Sequence, residues 1–275
     1  MKLSFVVSVE QTAFDAVAIR GGWEDASTRL AALGFDGIEL AIRDPAALDV
    51  GRVEAVVRQA GLIVPAIGTG QAYLRDGLSL SSAVGTVRRA ASERLLGHLR
   101  LAARLRALVI IGLIRGRLEG GRAATTARFL EGLRPVLDAA NDAGVRLVIE
   151  PVNRYETDFL VNVGETLDLI DACGASHLGV VADTFHMNIE EATLEGALTR
   201  AGPRLWHVHV ADSNRRAPGL GHLDLRRLVG VLRDIGYGGF LSAEIMPYPD
   251  PHEAARLTAQ HLRAVTAPPA SHTPG

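Results

Sequence analysis

Four residues carry most of the chemical content of this sequence: Glu150, which closes RLVIE; Asp183, which closes GVVAD; His209, inside WHVHVAD; and Glu244, which closes LSAE. Each follows or sits in a short apolar, β-branched run, the pattern of a buried strand. A single acid after a strand is often a helix N-cap or half of a loop ion pair. Four successive strand ends of this kind are another matter, because parallel strands would bring all four to one place. Three carboxylates and an imidazole crowded together repel and lose solvation, and a divalent cation is the simplest remedy. An oxygen-rich set with one nitrogen suits one Mn²⁺, Mg²⁺ or Co²⁺ with positions open for substrate better than a closed structural zinc site. His207, two residues before His209 on the same strand face, reads as a core or supporting histidine rather than a ligand.

Such residues need a scaffold that gathers strand ends. Apolar runs recur at 3–7, 37–40, 63–67, 107–111, 146–150, 178–182, 205–210 and 240–244, eight candidate strands in all. Between them lie stretches with helical spacing, such as 24–33, 84–105, 123–143, 164–173 and 224–235, mostly closing on Gly. Alternating strands and helices imply a parallel sheet, and strands apolar on both faces can close into a (β/α)8 TIM barrel. A doubly wound open sheet is the rival, but no G-x-G-x-x-G follows the first strand. In a barrel the active site lies at the C-terminal ends of the strands, where all four residues fall.

The rest of the composition narrows the partners. At 48% hydrophobic and 22% charged residues, the 275-residue chain reads as one soluble catalytic domain over residues 1–266, with a Pro/Ser/Thr/Gly tail at 267–275 expected to be poorly ordered. A net charge of −2 without a basic run argues against nucleic acid or an anionic membrane. The opening MKLSFVVSVEQ is too short and polar for a signal peptide or span, and the lone Cys173 offers no internal disulfide, so a cytoplasmic location is expected.

The segments IEPVNRYETDFLVNVGETLDLID, VVADTFHMNIEE and HVHVADSNRRAPGLGHLD resemble the xylose-isomerase-like barrel family of sugar isomerases and epimerases, within it the ketose 3-epimerases. Residue by residue, the resemblance implies Glu150, Asp183, His209 and Glu244 as metal ligands and Glu156, His186 and Arg215 as substrate contacts. It also implies a homo-oligomer. GFDGIELAIRDP, AIGTGQAYLRDGLSL and LVIIGLIRGR resemble the 5-keto-L-gluconate epimerase branch more than the neutral ketose 3-epimerases. The departure from the latter falls at residues 69–71, which makes Gln71 a further substrate-contact candidate.

The expected reaction is inversion of the carbon beside the ketone of a keto-hexonate, 5-keto-L-gluconate to D-tagaturonate, through a cis-enediolate stabilised by the ion. Inversion needs a base on each face, and Glu150 and Glu244, on strands five and eight, are the expected pair. His186 would hydrogen-bond a substrate oxygen, while Glu156 is as well explained by a cap or a pair with Arg154. Arg215, and second Arg115 after strand four, would hold the substrate carboxylate; Arg216 is expected to face water. Trp206 and Tyr237 read as packing residues, and Cys173 as buried. The alternatives are a neutral ketose 3-epimerase, an aldose–ketose isomerase, an apurinic-site endonuclease and a metal-free sugar-binding protein. The strand-three and strand-four ends lack the histidines that the endonuclease would need, and the intact four-residue set argues against the binding protein.

Overall fold

The computed structural model describes residues 1–12 and 14–267, and in it all eight apolar runs become strands of one closed parallel barrel. They are β1 (Lys2–Ser8), β2 (Gly37–Ala41), β3 (Ala66–Gly68), β4 (Leu108–Ile111), β5 (Leu147–Ile149), β6 (Leu178–Asp183), β7 (Leu205–Val210) and β8 (Phe240–Ala243). Closure is made by β8 against β1, from Lys2 opposite Phe240 to Phe5 opposite Ala243. A two-residue strand that the sequence did not suggest, Ile19–Arg20, pairs with Val7 and Ser8 at the end of β1. Apart from Ala267, the expected tail at 267–275 lies outside the described residues.

The third strand is shorter than its apolar run. Pro65 has no N–H for the ladder, so Ile63 makes only an isolated bridge with Gly37 and is 47% exposed, and regular pairing starts at Ala66. Alternation within strands divides the core between the barrel interior and the layer under the helices. Leu108 and Ile110 of β4 join Ala66, Val148 and Val181 in one cluster inside the barrel, whereas Val109 and Ile111 belong to the larger cluster packed under the helices. Both faces are apolar because both are covered, which is why these strands lack a polar alternation.

The surrounding helices are α1 (Trp23–Ala32), α2 (Val50–Gln59), α3 (Gly70–Asp76), α4 (Gly85–Leu105), α5 (Arg122–Ala143), α6 (Val163–Cys173), α7 (Thr184–Glu190), α8 (Leu194–Ala201), α9 (Leu225–Asp234) and α10 (Pro251–Thr266). α5 and α6 end on Gly144 and Gly174 in the left-handed region, as the sequence suggested. Among the described residues no helix is long and apolar enough to cross a membrane.

Candidate active site

Glu150 follows β5, Asp183 ends β6, His209 lies in β7 and Glu244 follows β8, so four neighbouring strands deliver the four residues to one end of the barrel. One ligand atom from each lies within 4.8 Å of every other. Asp183 is the most telling member. Its Oδ1 caps α7, accepting from the backbone N–H of Phe185 at 2.7 Å and of His186 at 3.3 Å. Its Oδ2 is buried with no hydrogen-bond partner among the described residues. The cap and the site are therefore made by different oxygens of one carboxylate. Burial pushes Asp183 up, with Glu150 adding to the push and His209 opposing it; Glu244 is raised in the same way. An orphaned carboxylate oxygen, two carboxyls forced upward and an imidazole within reach are the environment that a divalent cation relieves.

Room for this group is kept by glycine. A Cβ on Gly112, just after β4, would stand 3.0 Å from Glu150 Oε2. The cavity over the group has a volume of about 50 Å³, and its lining includes the apolar Val6, Phe14, Ala41, Ile110 and Leu113 and the polar Thr69 and Gln71. Gln71 Nε2 donates to Ser8 Oγ at 2.8 Å, whereas the Thr69 hydroxyl is taken by the Ile110 carbonyl at 2.7 Å.

The remaining candidates form a second tier. Arg215 Nη1 donates to Glu156 Oε1 at 2.6 Å and its Nη2 to Glu244 Oε2 at 3.3 Å. Its guanidinium stacks 4.7 Å from the Phe185 ring and 5.3 Å from that of Phe14, and its Nε is buried without a partner among the described residues. The loop bearing Arg215 is organised by Asp212, whose carboxylate accepts from the backbone N–H of Ser213, Gly219 and Leu223. A Cβ on Gly221 would stand 2.2 Å from Asp212 Oδ1, so glycine is required there. Glu156 thus meets Arg215, not Arg154, which pairs with Glu190.

His186 has a definite tautomer. The backbone N–H of Tyr155 donates to Asn153 Oδ1 at 2.9 Å, which turns the Asn153 amide so that Nδ2–H faces His186 Nδ1 at 2.7 Å. Nδ1 is therefore an acceptor and the ring proton sits on Nε2, 3.9 Å from Asp183 Oδ2; the contact of Arg215 Nη2 with Nε2 at 3.5 Å then joins two donors and is not a hydrogen bond. Burial, reinforced by Arg215, holds His186 well below the usual histidine range, so the ring stays neutral.

Arg115 corrects the sequence expectation. It is fully buried, and its Nε, Nη1 and Nη2 donate to the carbonyls of Phe159, Gly112 and Leu160 at 2.8, 3.0 and 3.2 Å. Burial lowers its pKa to about 10, still far above neutrality. It clamps backbone and does not present a fork to substrate. Arg216, expected in water, stacks on Tyr248 at 3.7 Å. Trp206 and Tyr237 donate to the carbonyls of Pro203 and Phe240, as packing residues do, and Cys173 is half-buried.

Glu39 was missed. It lies in mid-strand in β2, 1% exposed, and meets both His207 and His209. The signal was available: an acid inside the apolar run GIELA must be paired if that run is buried.

Residues 28–265 match the model of the family described as xylose isomerase-like TIM barrel. The D-psicose 3-epimerase of Agrobacterium fabrum is 33% identical over 229 residues, 78% of this chain and 76% of that protein. The ketose 3-epimerase of Arthrobacter globiformis is 32% identical over 230 residues, 82% of this chain and 77% of that protein. A crystal structure of a D-psicose 3-epimerase in the presence of D-fructose superposes with a TM-score of 0.81 at 27% identity, covering 97% of this chain and 99% of that one.

Proposed function

The chain belongs to the xylose isomerase-like TIM barrel family and is a sugar epimerase of the ketose 3-epimerase type, and from that premise we propose that it inverts the carbon beside a ketone by two-base proton transfer between Glu150 and Glu244. Glu150, Asp183, His209 and Glu244 would hold one divalent ion. That ion would supply the positive charge that stabilises an enediolate when the carbon acid loses its proton. The observation that carries the reading is the unpartnered Asp183 Oδ2 inside a four-residue donor group.

The chain's own residues divide the remaining work. A two-base inversion needs one carboxylate to take the proton on one face and another group to deliver one on the opposite face, and Glu150 and Glu244 follow β5 and β8 with β6 and β7 between them. His186 presents Nε2–H as a neutral donor to a substrate oxygen, and the Nε–H of Arg215, without a partner among the described residues, is a second donor. Phe14, Val6 and Leu113 give the cavity over the group an apolar lining. The test is turnover in D₂O: product should carry deuterium at the inverted carbon, and unlabelled product would contradict proton transfer.

The geometry favours an uncharged keto sugar as substrate. Arg115 is spent on carbonyls, and Arg215 already faces Glu156 and Glu244. Even with one divalent ion held by Glu150, Asp183 and Glu244, those three carboxylates and Glu156 outweigh the ion and the single guanidinium, so an anionic substrate would enter a mouth of net negative charge. The second reading is a keto-hexonate, 5-keto-L-gluconate interconverted with D-tagaturonate, supported by the GTGQAY and IIGLIRG segments and requiring Arg215 to exchange Glu156 for the substrate carboxylate. Comparing kcat/KM for psicose, fructose and tagatose with that for the keto acid discriminates them. A neutral preference on the order of tenfold or more is expected, and the reverse would install the keto-acid reading.

A further inference from the structure

Glu39 occupies the middle of β2, where Ile38, Leu40 and Ala41 are buried apolar neighbours, and a carboxylate there is costly unless both its oxygens are satisfied. They are. Oε2 lies 2.7 Å from His207 Nε2 and Oε1 lies 2.9 Å from His209 Nε2. A carboxylate with an imidazole nitrogen at hydrogen-bond distance from each oxygen accepts from both. Both Nε2 atoms must therefore carry protons.

For His209 this decides the other nitrogen. A neutral ring protonated on Nε2 has its lone pair on Nδ1, and Nδ1 is the atom 2.8 Å from Glu150 Oε1 and 3.8 Å from Asp183 Oδ2. His207 does not belong to the four-residue group; it anchors the far oxygen of Glu39 and packs edge-on against His209, with ring centroids 5.3 Å apart at 83°. We infer that Glu39, braced by His207, is the positioning residue that fixes the tautomer and orientation of His209 so that its Nδ1 lone pair faces the divalent ion. The inference rests on the metal-dependent reading above. Glu39, His207 and His209 also satisfy the spacing of a separate ion site, but occupying it together with the four-residue group would require His209 to give up both ring protons.

The experiment is Mn²⁺ titration of metal-stripped full-length protein by calorimetry, for wild type, Glu39→Gln, Glu39→Ala and, as a destabilised control in the barrel interior, Leu108→Ala. Glu39→Ala should weaken Mn²⁺ binding by about 10- to 100-fold with one ion per chain. Glu39→Gln should lose less, because its amide oxygen can still serve His209 while its NH₂ serves His207. Leu108→Ala should stay within about twofold of wild type although its Tm falls. Binding by Glu39→Ala within twofold of wild type, an equal loss in Leu108→Ala, or two ions per wild-type chain would each overturn the inference. Wild type that binds no Mn²⁺ would overturn the metal-dependent reading and this inference together, whereas wild-type binding with unaffected variants overturns this inference alone. Should the Ala variant not fold, ring-nitrogen NMR of wild type with Mg²⁺ bound answers the same question: His209 protonated on Nε2 supports the inference, and protonation on Nδ1 overturns it.

Discussion

Replacing Arg115 by Met should cost stability and leave substrate choice alone. Three backbone carbonyls, those of Phe159, Gly112 and Leu160, receive its buried guanidinium, and Leu160 is held in the left-handed region at φ 56°. Each charge-assisted bond is worth about 1.5–3 kcal/mol, and the recovered desolvation of the cation offsets part of their sum. A net loss of about 3–5 kcal/mol remains, because Met fills the volume but leaves three buried acceptors without donors. For a chain of this size that corresponds to a fall in Tm of roughly 6–20 °C. The assay is calorimetric unfolding of wild type and Arg115→Met, with kcat/KM for psicose and for 5-keto-L-gluconate well below either Tm. The ratio of the two kcat/KM values should be unchanged. An unaltered Tm together with a selective loss of keto-acid activity would refute this reasoning and return Arg115 to the substrate.

Three further outcomes follow from the geometry. Asn153→Asp keeps the size and the Tyr155 contact but can only accept, so it forces the His186 proton onto Nδ1; kcat should drop on the order of tenfold or more, with ring-nitrogen NMR reporting the exchanged tautomer, and unchanged kcat with an exchanged tautomer would contradict the donor role. Burial raises Asp183 to about 6 and Glu244 to about 8, and Glu39 with Glu150 lifts His209 against the effect of burial. All three folded values exceed the unfolded ones, so their stabilisation is complete below the unfolded values and is lost as pH rises through the folded ones; the Tm of metal-free protein should fall between about pH 4 and pH 8. Bound Mn²⁺ displaces those protons, so the Mn²⁺-induced rise in Tm should be larger at pH 8 than at pH 6, and a rise independent of pH would contradict it.

The strand ends were legible because chemistry and fold speak in the same positions: Glu150, Asp183, His209 and Glu244 interrupt apolar runs that had to be buried strands. Side-chain direction was not legible. Arg115 follows β4 as Glu150 follows β5, yet it turns away into the carbonyls of the loop before α6, and no local pattern reports that turn. Glu39 stayed hidden because it lies in mid-strand, where the search for terminal polar residues does not look. Asn153 and Asp212 act through backbone N–H groups, and such contacts appear only when the loops are built. Pro65 did announce a break in the third run, although the run was carried through it.

The central claim is that Glu150, Asp183, His209 and Glu244 hold one divalent ion on which epimerisation depends. The direct measurement is activity during stepwise return of Mn²⁺ to metal-stripped protein, in parallel with bound metal per chain, for wild type and Asp183→Asn. Asp183→Asn removes the charge of the orphaned Oδ2 while keeping the Oδ1 cap of α7. Wild-type activity should start near zero and rise in proportion to occupancy up to one ion per chain, with Asp183→Asn binding far more weakly and regaining little. Full turnover by the stripped wild-type protein, or wild-type metal affinity in Asp183→Asn, would contradict the account.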